Sequence, residues 1–396
     1  MKRKTIWRIR GRAIASLALG GAMVTSLCLL LPESAAQGAG SSSFIPAATA
    51  AAFKEITGLT ALSAPATMAQ LGSRVAQYVA TPKSILEKTP VTVKATKGKK
   101  IALLICGVPV CAEFGQAATQ AAHLLGWKVI DIPLGTDPQQ FTDAYNTAIQ
   151  DKPNMVVGSG LPRSFFNSQL LQLQKMKIPV IEWSSGITPV PGHIWVTADN
   201  PLYQAAGIMM AEYLSYYSNL KAQVLELSSV QYTMSSLFVN TLNQYGPSIC
   251  PTCKFTLEEE PVTDIGSAGP IAVAYVQNNP GTNYVVCSYA DLCQGVGEAL
   301  KVAGFGSVKV ITRDSGTLNF ENMQLGLESA AMPLPIYETG YQIIDLAQRI
   351  FNHQSTANTR LSPEQIVTTM SNPNSTTIGA DPNFKTHYKK LWKLIK

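Results

Sequence analysis

The sequence predicts an α/β protein in which one strand-and-helix pattern is written twice. Three observations carry that expectation. From Gly98 onward, short β-branched runs alternate with amphipathic stretches of about 12 to 18 residues, the signature of βαβ units around a parallel sheet. The alternation restarts near Val224 in the same order. A length of 396 residues corresponds to two or three domains at roughly 150 residues each, enough for sizeable cores.

The first set opens with a strand over 101–105 and a helix over 112–125, which Gly126 ends as a C-terminal glycine stop. Strands at 128–132, 155–157 and 180–182 then alternate with helices at 138–150 and 164–176. A strand at 193–197 follows, and Pro201 opens a long helix to about 217 with Asn200 as its N-cap. The second set has a strand at 224–227, a helix at 234–245 and a strand at 254–259, and continues through 272–277 and the strand 284–287. A helix at 292–303, strands at 308–312 and 329–332, and a helix at 337–351 complete it. Residues 37–97, rich in Ala, Ser, Thr and Pro, read as an irregular leader that can wrap the body, with one weakly helical stretch at 66–78. Residues 356–396 read as a polar tail with a basic end.

Composition excludes several classes. With 46% apolar and 14% charged residues, 29 Gly and 24 Pro, the chain is neither collagenous nor of low complexity. The net charge of +6 is local, because Lys2, Arg3, Lys4, Arg8, Arg10 and Arg12 precede an apolar run over 13–31. Ser34, Ala35 and Ala36 supply the small residues a signal peptidase needs, so 1–36 is expected to be a cleaved signal peptide. An uncleaved anchor is the alternative, since the run approaches the ~20 residues that span a bilayer. Without 1–36 the chain carries 25 positive against 24 negative charges, which removes the phosphate-neutralising excess a nucleic-acid binder needs.

Cysteine usage agrees with export to the periplasm or cell surface. Outside the signal, six cysteines form three close pairs, Cys106/Cys111, Cys250/Cys253 and Cys287/Cys293, and nearest-neighbour disulfides are the expected connectivity, with buried free thiols as the alternative. Cys250 and Cys253 have redox spacing, but they follow a helix and precede a strand, the reverse of a thioredoxin-like site. His123, His193, His353 and His387 are scattered, with no metal spacing and no nucleophile elbow. No catalytic set, cofactor or metal is therefore expected. The run Glu258, Glu259 and Glu260 reads as an exposed strand face, and Gly107-Val108-Pro109 lacks the lysine of a nucleotide-binding loop.

Several strings, in order, resemble the type I periplasmic binding proteins of ABC transporters, in particular the ribose-binding-like sugar cluster. They are Lys100-Ile101-Ala102-Leu103-Leu104, Leu124 with Gly126-Trp127, Ile178-Pro179-Val180-Ile181, Thr197-Ala198-Asp199-Asn200, Gly295-Val296-Gly297-Glu298-Ala299-Leu300 with Gly304, and Arg313-Asp314-Ser315-Gly316. The resemblance covers about residues 99–352. It implies two Rossmann-like lobes, each a parallel sheet flanked by helices, joined by a three-segment hinge that closes on a solute. On this reading lobe 1 takes 98–199 and 334–355, and lobe 2 takes 200–333. It also implies a small-molecule solute and an ABC permease as partners, with the protein acting as a monomer. A sensory module reporting to a membrane kinase or chemoreceptor is the alternative.

Independently of the resemblance, an open α/β sheet binds its ligand beyond the carboxyl ends of its strands. That draws attention to Val108 in the first loop, to Trp183, Ser184 and Ser185, to Tyr232, to Tyr289 and to Asp314. Trp183, Tyr232 and Tyr289 stand at strand ends, where rings can stack on a solute. The chain departs from the ribose-type pattern. Ser184-Ser185 replaces Asp-Arg, residues 232–239 carry no Arg, and Tyr289-Ala290 replaces Asn-Asp, although Asp314 remains. With fewer bidentate groups to fix vicinal hydroxyls, a less polar solute becomes competitive.

Overall fold

The repeated pattern becomes two sheets wound in the same order. The computed structural model describes residues 45–107, 109–135, 138–159, 163–229, 232–260, 266–356, 361–369 and 377–396; the expected signal peptide and Val108 lie outside them. In the first lobe, β1 (Lys100–Cys106), β2 (Lys128–Gly135), β3 (Met155–Ser159), β4 (Val180–Trp183) and β5 (Ile194–Thr197) form a parallel sheet in the order β2-β1-β3-β4-β5. In the second, β6 (Gln223–Ser228), β7 (Lys254–Glu259), β8 (Tyr284–Cys287), β9 (Lys309–Arg313) and β10 (Ala330–Met332) take the corresponding order β7-β6-β8-β9-β10. Ile101, Ala102, Leu103 and Leu104 are all buried, as expected for a strand covered on both faces.

Helices α3 (Pro109–Leu124), α4 (Pro138–Asp151) and α5 (Asn167–Lys175) connect the first sheet. The chain crosses after β5 into α6 (Asn200–Tyr217), which packs against α7 (Thr233–Ile249). Helices α8 (Ala268–Asn278), α9 (Val296–Val302) and α10 (Thr317–Gln324) serve the second sheet. The chain then returns after β10 into α11 (Ile336–Phe351), which packs against α3. The two helix pairs correspond, and each closes through a glycine. A Cβ on Gly340 would come within 2.7 Å of Ala117, and one on Gly207 within 2.7 Å of the Phe238 carbonyl oxygen.

Four expectations need correction. Residues 45–97 are not an irregular leader with a single weak helix, because they hold α1 (Ala47–Thr57) and α2 (Met68–Val79). Thr67 and Gln70 form a capping box on α2, and Leu71, Val75 and Tyr78 bury its apolar face. Residues 361–368 are buried throughout rather than a polar tail, because β11 (Val367–Thr368) adds an antiparallel strand to β10. The basic segment beyond it forms α12 (Phe384–Leu391), whose buried face packs on α11. The helix expected over 292–303 is split, since Gly295 at φ 80° separates a 3-10 turn over Ala290–Cys293 from α9. The N-cap of α6 is Asp199 rather than Asn200, a one-residue shift.

Candidate functional site at the lobe junction

Strands β4 and β9 hold the same place in the two sheets, and each runs into a similar string, Ile181-Glu182-Trp183-Ser184-Ser185-Gly186 and Ile311-Thr312-Arg313-Asp314-Ser315-Gly316. Ser184 at φ 55° and Asp314 at φ 51° both adopt the left-handed conformation, which costs a non-glycine residue about 1 kcal/mol or more. The same strained corner therefore stands at corresponding strand ends in both lobes.

The two corners meet on Tyr203 in the first turn of α6. Ser184 Oγ and Tyr203 Oη are hydrogen-bonded. The Arg313 guanidinium stacks 4.1 Å from the Tyr203 ring centroid and donates through Nη1 to Asp314 Oδ1 at 2.6 Å. On its other side, Arg313 Nη2 lies 3.5 Å from Glu364 Oε1, which enters from the segment before β11. Burial pushes the Glu364 carboxyl up to about 8 despite the opposing Arg313 charge, and burial also raises Asp314 against the same charge. The lobes touch again where Thr317 Oγ1 donates to Glu113 Oε1 at 3.0 Å, and where Gly186 faces Thr233.

Of the residues singled out in the sequence, Ser184 and Asp314 converge. Ser185 is buried beside them and its Oγ accepts from Ile187 N at 3.4 Å. Tyr232 and Tyr289 form an edge-on pair with centroids 6.0 Å apart. Tyr289 donates to Asp291 Oδ2 at 2.6 Å, and burial together with Asp291 holds both phenols above their ordinary range. Trp183 is 3% exposed and packs on Phe114 of α3 with centroids 4.4 Å apart, within the first lobe's core. The neighbouring polar groups include three buried side-chain atoms without hydrogen-bond partners: Trp183 Nε1, Ser229 Oγ and Ser235 Oγ. The latter two flank the first loop of the second lobe.

The six cysteines are bonded as nearest neighbours. Cys106–Cys111 follows β1 and Cys287–Cys293 follows β8, so one bridge fixes a loop beside the strand-order reversal of each sheet, where such folds bind ligands. Cys250–Cys253 instead joins the end of α7 to the start of β7, far along the chain from those loops. Glu258 and Glu259 are exposed, whereas Glu260 is buried and accepts from Ser267 Oγ at 2.7 Å. Among the described residues no group of His, Cys, Asp and Glu is arranged to hold a metal, and no helix is long and apolar enough to cross a membrane.

Sequence reasoning missed Tyr203, Glu364 and Ser229, and treated Arg313 only as part of a turn string. The signal available for Arg313 was its place one residue before Asp314, matching Trp183 before Ser184. Nothing local marked Glu364, which reaches the site through tertiary structure alone.

Comparison with known proteins agrees with this architecture. A family profile described as the periplasmic binding protein domain matches residues 107–355, and the chain belongs to that family of extracytoplasmic, non-enzymatic solute-binding proteins. No curated protein sequence matches the chain. Among solved structures, an ABC sugar transporter subunit from Rhodobacter sphaeroides is similar at TM-score 0.59 and 17% identity, over 69% of this chain and 98% of that one. An ABC transporter periplasmic solute-binding protein from Actinobacillus succinogenes, with bound D-allose, gives TM-score 0.61 at 16% identity, over 69% and 98%. A periplasmic ribose ABC transporter protein from Conexibacter woesei gives TM-score 0.59 at 14% identity, over 70% and 94%.

Proposed function

We propose that this protein is the solute-binding component of an ABC importer. It is exported by residues 1–36, acts as a monomer, and holds a sugar or another small, partly apolar solute between its lobes for delivery to a membrane permease. The observation that carries this reading is the pair of left-handed corners at Ser184 and Asp314, presented from opposite lobes around one tyrosine. Serine hydroxyls and the Asp314 carboxylate suit hydroxyl groups, while Tyr232 and Tyr289 offer ring faces to the apolar side of a sugar. The carbohydrate ligands named for the similar structures support the same class. Trp183, committed to Phe114, supports the loop from beneath.

Native mass spectrometry of the purified, mature protein tests the reading by identifying what co-purifies, with calorimetry on the identified compound as confirmation. A carbohydrate, polyol or small aromatic glycoside supports it. A peptide or nucleotide, or turnover of the retained compound, overturns it.

A further inference from the structure

Residues 45–97 and 361–396 lie outside the 107–355 match, and the similar structures cover nearly their whole length on only about 70% of this chain. These additions are not appendages. The N-terminal segment is seated mainly on the second lobe, where Phe53, Leu71, Val75 and Tyr78 join the core formed by α6 and α7, while Ala52 reaches the first lobe's core. A buried network fixes it there. Arg74 Nε and Nη2 donate to Glu212 Oε2 and Oε1 at 2.5 and 2.7 Å, and Tyr78 and Tyr245 donate to the same carboxylate at 2.6 and 2.7 Å. A few residues later Ile85 and Val91 are buried in the core of the first lobe, and Arg349 Nη2 of α11 donates to the Thr89 carbonyl at 2.7 Å.

The C-terminal segment makes the same journey. Ile366 is buried in the second lobe's core and β11 extends that lobe's sheet. Trp392 then stacks on Tyr341 with centroids 5.8 Å apart and donates to Asp345 Oδ1 at 2.7 Å, in the first lobe. The two segments are joined to each other at both ends. On the second lobe Ile366 N donates to the Tyr78 carbonyl at 2.8 Å and Gln365 Nε2 to the Val79 carbonyl at 3.1 Å. On the first lobe Val91 N donates to the Leu391 carbonyl and Lys393 Nζ to the Thr92 carbonyl, each at 3.0 Å.

We propose that these two terminal segments form a double strap across the lobes that limits their separation, so that the protein keeps a narrow junction before any solute arrives. The stretch from Val79 to Ile85 can extend to no more than about 20 Å, at ~3.5 Å per residue. Any motion that carries its two anchors further apart must first pull Ile85 or Tyr78 out of a core. A binding protein held this way loses less freedom when it captures a solute. The inference concerns opening of the solute-free protein and does not depend on which solute it binds.

Interlobe distances settle it. Spin labels on non-natural amino acids at exposed Leu171 in the first lobe and Val302 in the second are read by pulsed electron resonance on the full mature chain without solute. The wild type should give one narrow distance distribution. Inserting roughly eight Gly and Ser residues between Lys83 and Ser84 slackens one strap without touching its anchors. Combining it with Trp392→Ala, which removes the other strap's contacts with Tyr341 and Asp345, should create a second, longer-distance population. A wild type that already populates the longer distance, or a doubly altered chain that leaves the distribution unchanged, overturns the proposal. Should the variants not fold, hydrogen exchange on the wild type decides. The Val91 and Ile366 amides must exchange as slowly as the sheet amides, and exchange at the rate of a frayed terminus rejects the strap.

Discussion

The ends of β4 and β9 solve one problem with opposite chemistry. In the first lobe Trp183 lies on Phe114 of α3, an apolar contact that needs no charge partner. In the second, Arg313 takes the corresponding place, 5.6 Å from the Phe238 ring of α7 and 4.1 Å from that of Tyr203, with carboxylates on either side. Both side chains brace a left-handed corner, Ser184 in one lobe and Asp314 in the other. One lobe's corner rests on packing, the other's on a buried ion cluster. The difference teaches that duplicated topology conserves where the backbone turns while leaving free what holds it.

The largest effects should separate the two mechanisms. Arg313→Ala strips the Asp314 and Glu364 carboxyls of their cation and, above about pH 8 where Glu364 is ionised in the wild type, should destabilise the protein by about 3–5 kcal/mol, with part recovered by adding Glu364→Gln. Trp183→Ala should cost a similar ~3–5 kcal/mol through cavity formation, with no recovery from any charge-removing partner. Urea denaturation of both series checks this, and recovery of the Trp183 variant by Glu364→Gln would erase the distinction. Next, on the solute identified by native mass spectrometry, Asp314→Ala should weaken calorimetric affinity by about 1.5–3 kcal/mol, as expected for hydrogen bonds to a charged group.

A smaller effect concerns pH. In the first lobe Glu182 is buried beneath its corner and accepts from Tyr145 Oη at 2.5 Å, and burial pushes its carboxyl up to about 8. Because the folded form holds this proton more tightly than the unfolded chain, stability present at low pH is lost as pH rises toward 8, at up to about 1.4 kcal/mol per pH unit. Glu182→Gln should reduce the slope of urea midpoints between pH 5 and 8, Glu364 and the other buried carboxyls keeping the rest, and an unaltered slope would move this proton elsewhere. The smallest change expected is Ser184→Ala, at roughly 0.5 to 1.5 kcal/mol in affinity, because one neutral hydroxyl is removed. If that variant binds worse than Asp314→Ala, the first lobe rather than the second provides the polar grip. Mass mapping of the unreduced protein should return the three local disulfides, and a Cys106–Cys287 link would tie together lobes that must be able to move apart.

The parallel sheets were legible because their strands, buried on both faces, form short apolar runs that stand out between amphipathic helices. The strand ends were legible for the same reason, since a sheet of known order dictates where its loops gather. What escaped was information held in tertiary structure. Residues 45–57 contain little beyond alanine to mark a helical face, yet Phe53 and Ala52 dock on α6 and on the first lobe. Residues 361–368 are polar enough to suggest a tail, but an edge strand of β10 stood open to pair with them. Trp183 illustrates a different gap. Position alone placed its ring at a ligand-facing strand end, and only the proximity of Phe114, nearly 70 residues earlier in the chain, shows that the ring has a protein partner.

The meeting of the two chain ends on the first lobe also bears on the order of folding. That lobe's core draws on Ile85 and Val91 near the start and on Phe384, Tyr388 and Trp392 at the finish, and Lys393 bonds across 301 residues to Thr92. Closing a loop of that size costs roughly 5 kcal/mol in chain entropy before its contacts repay it. The core therefore cannot be completed until Phe384, Tyr388 and Trp392 are free to pack beside Val91, more than 290 residues earlier in the chain. Contacts this far apart in sequence make that core slow to close, which leaves its apolar surface in contact with water for longer during folding.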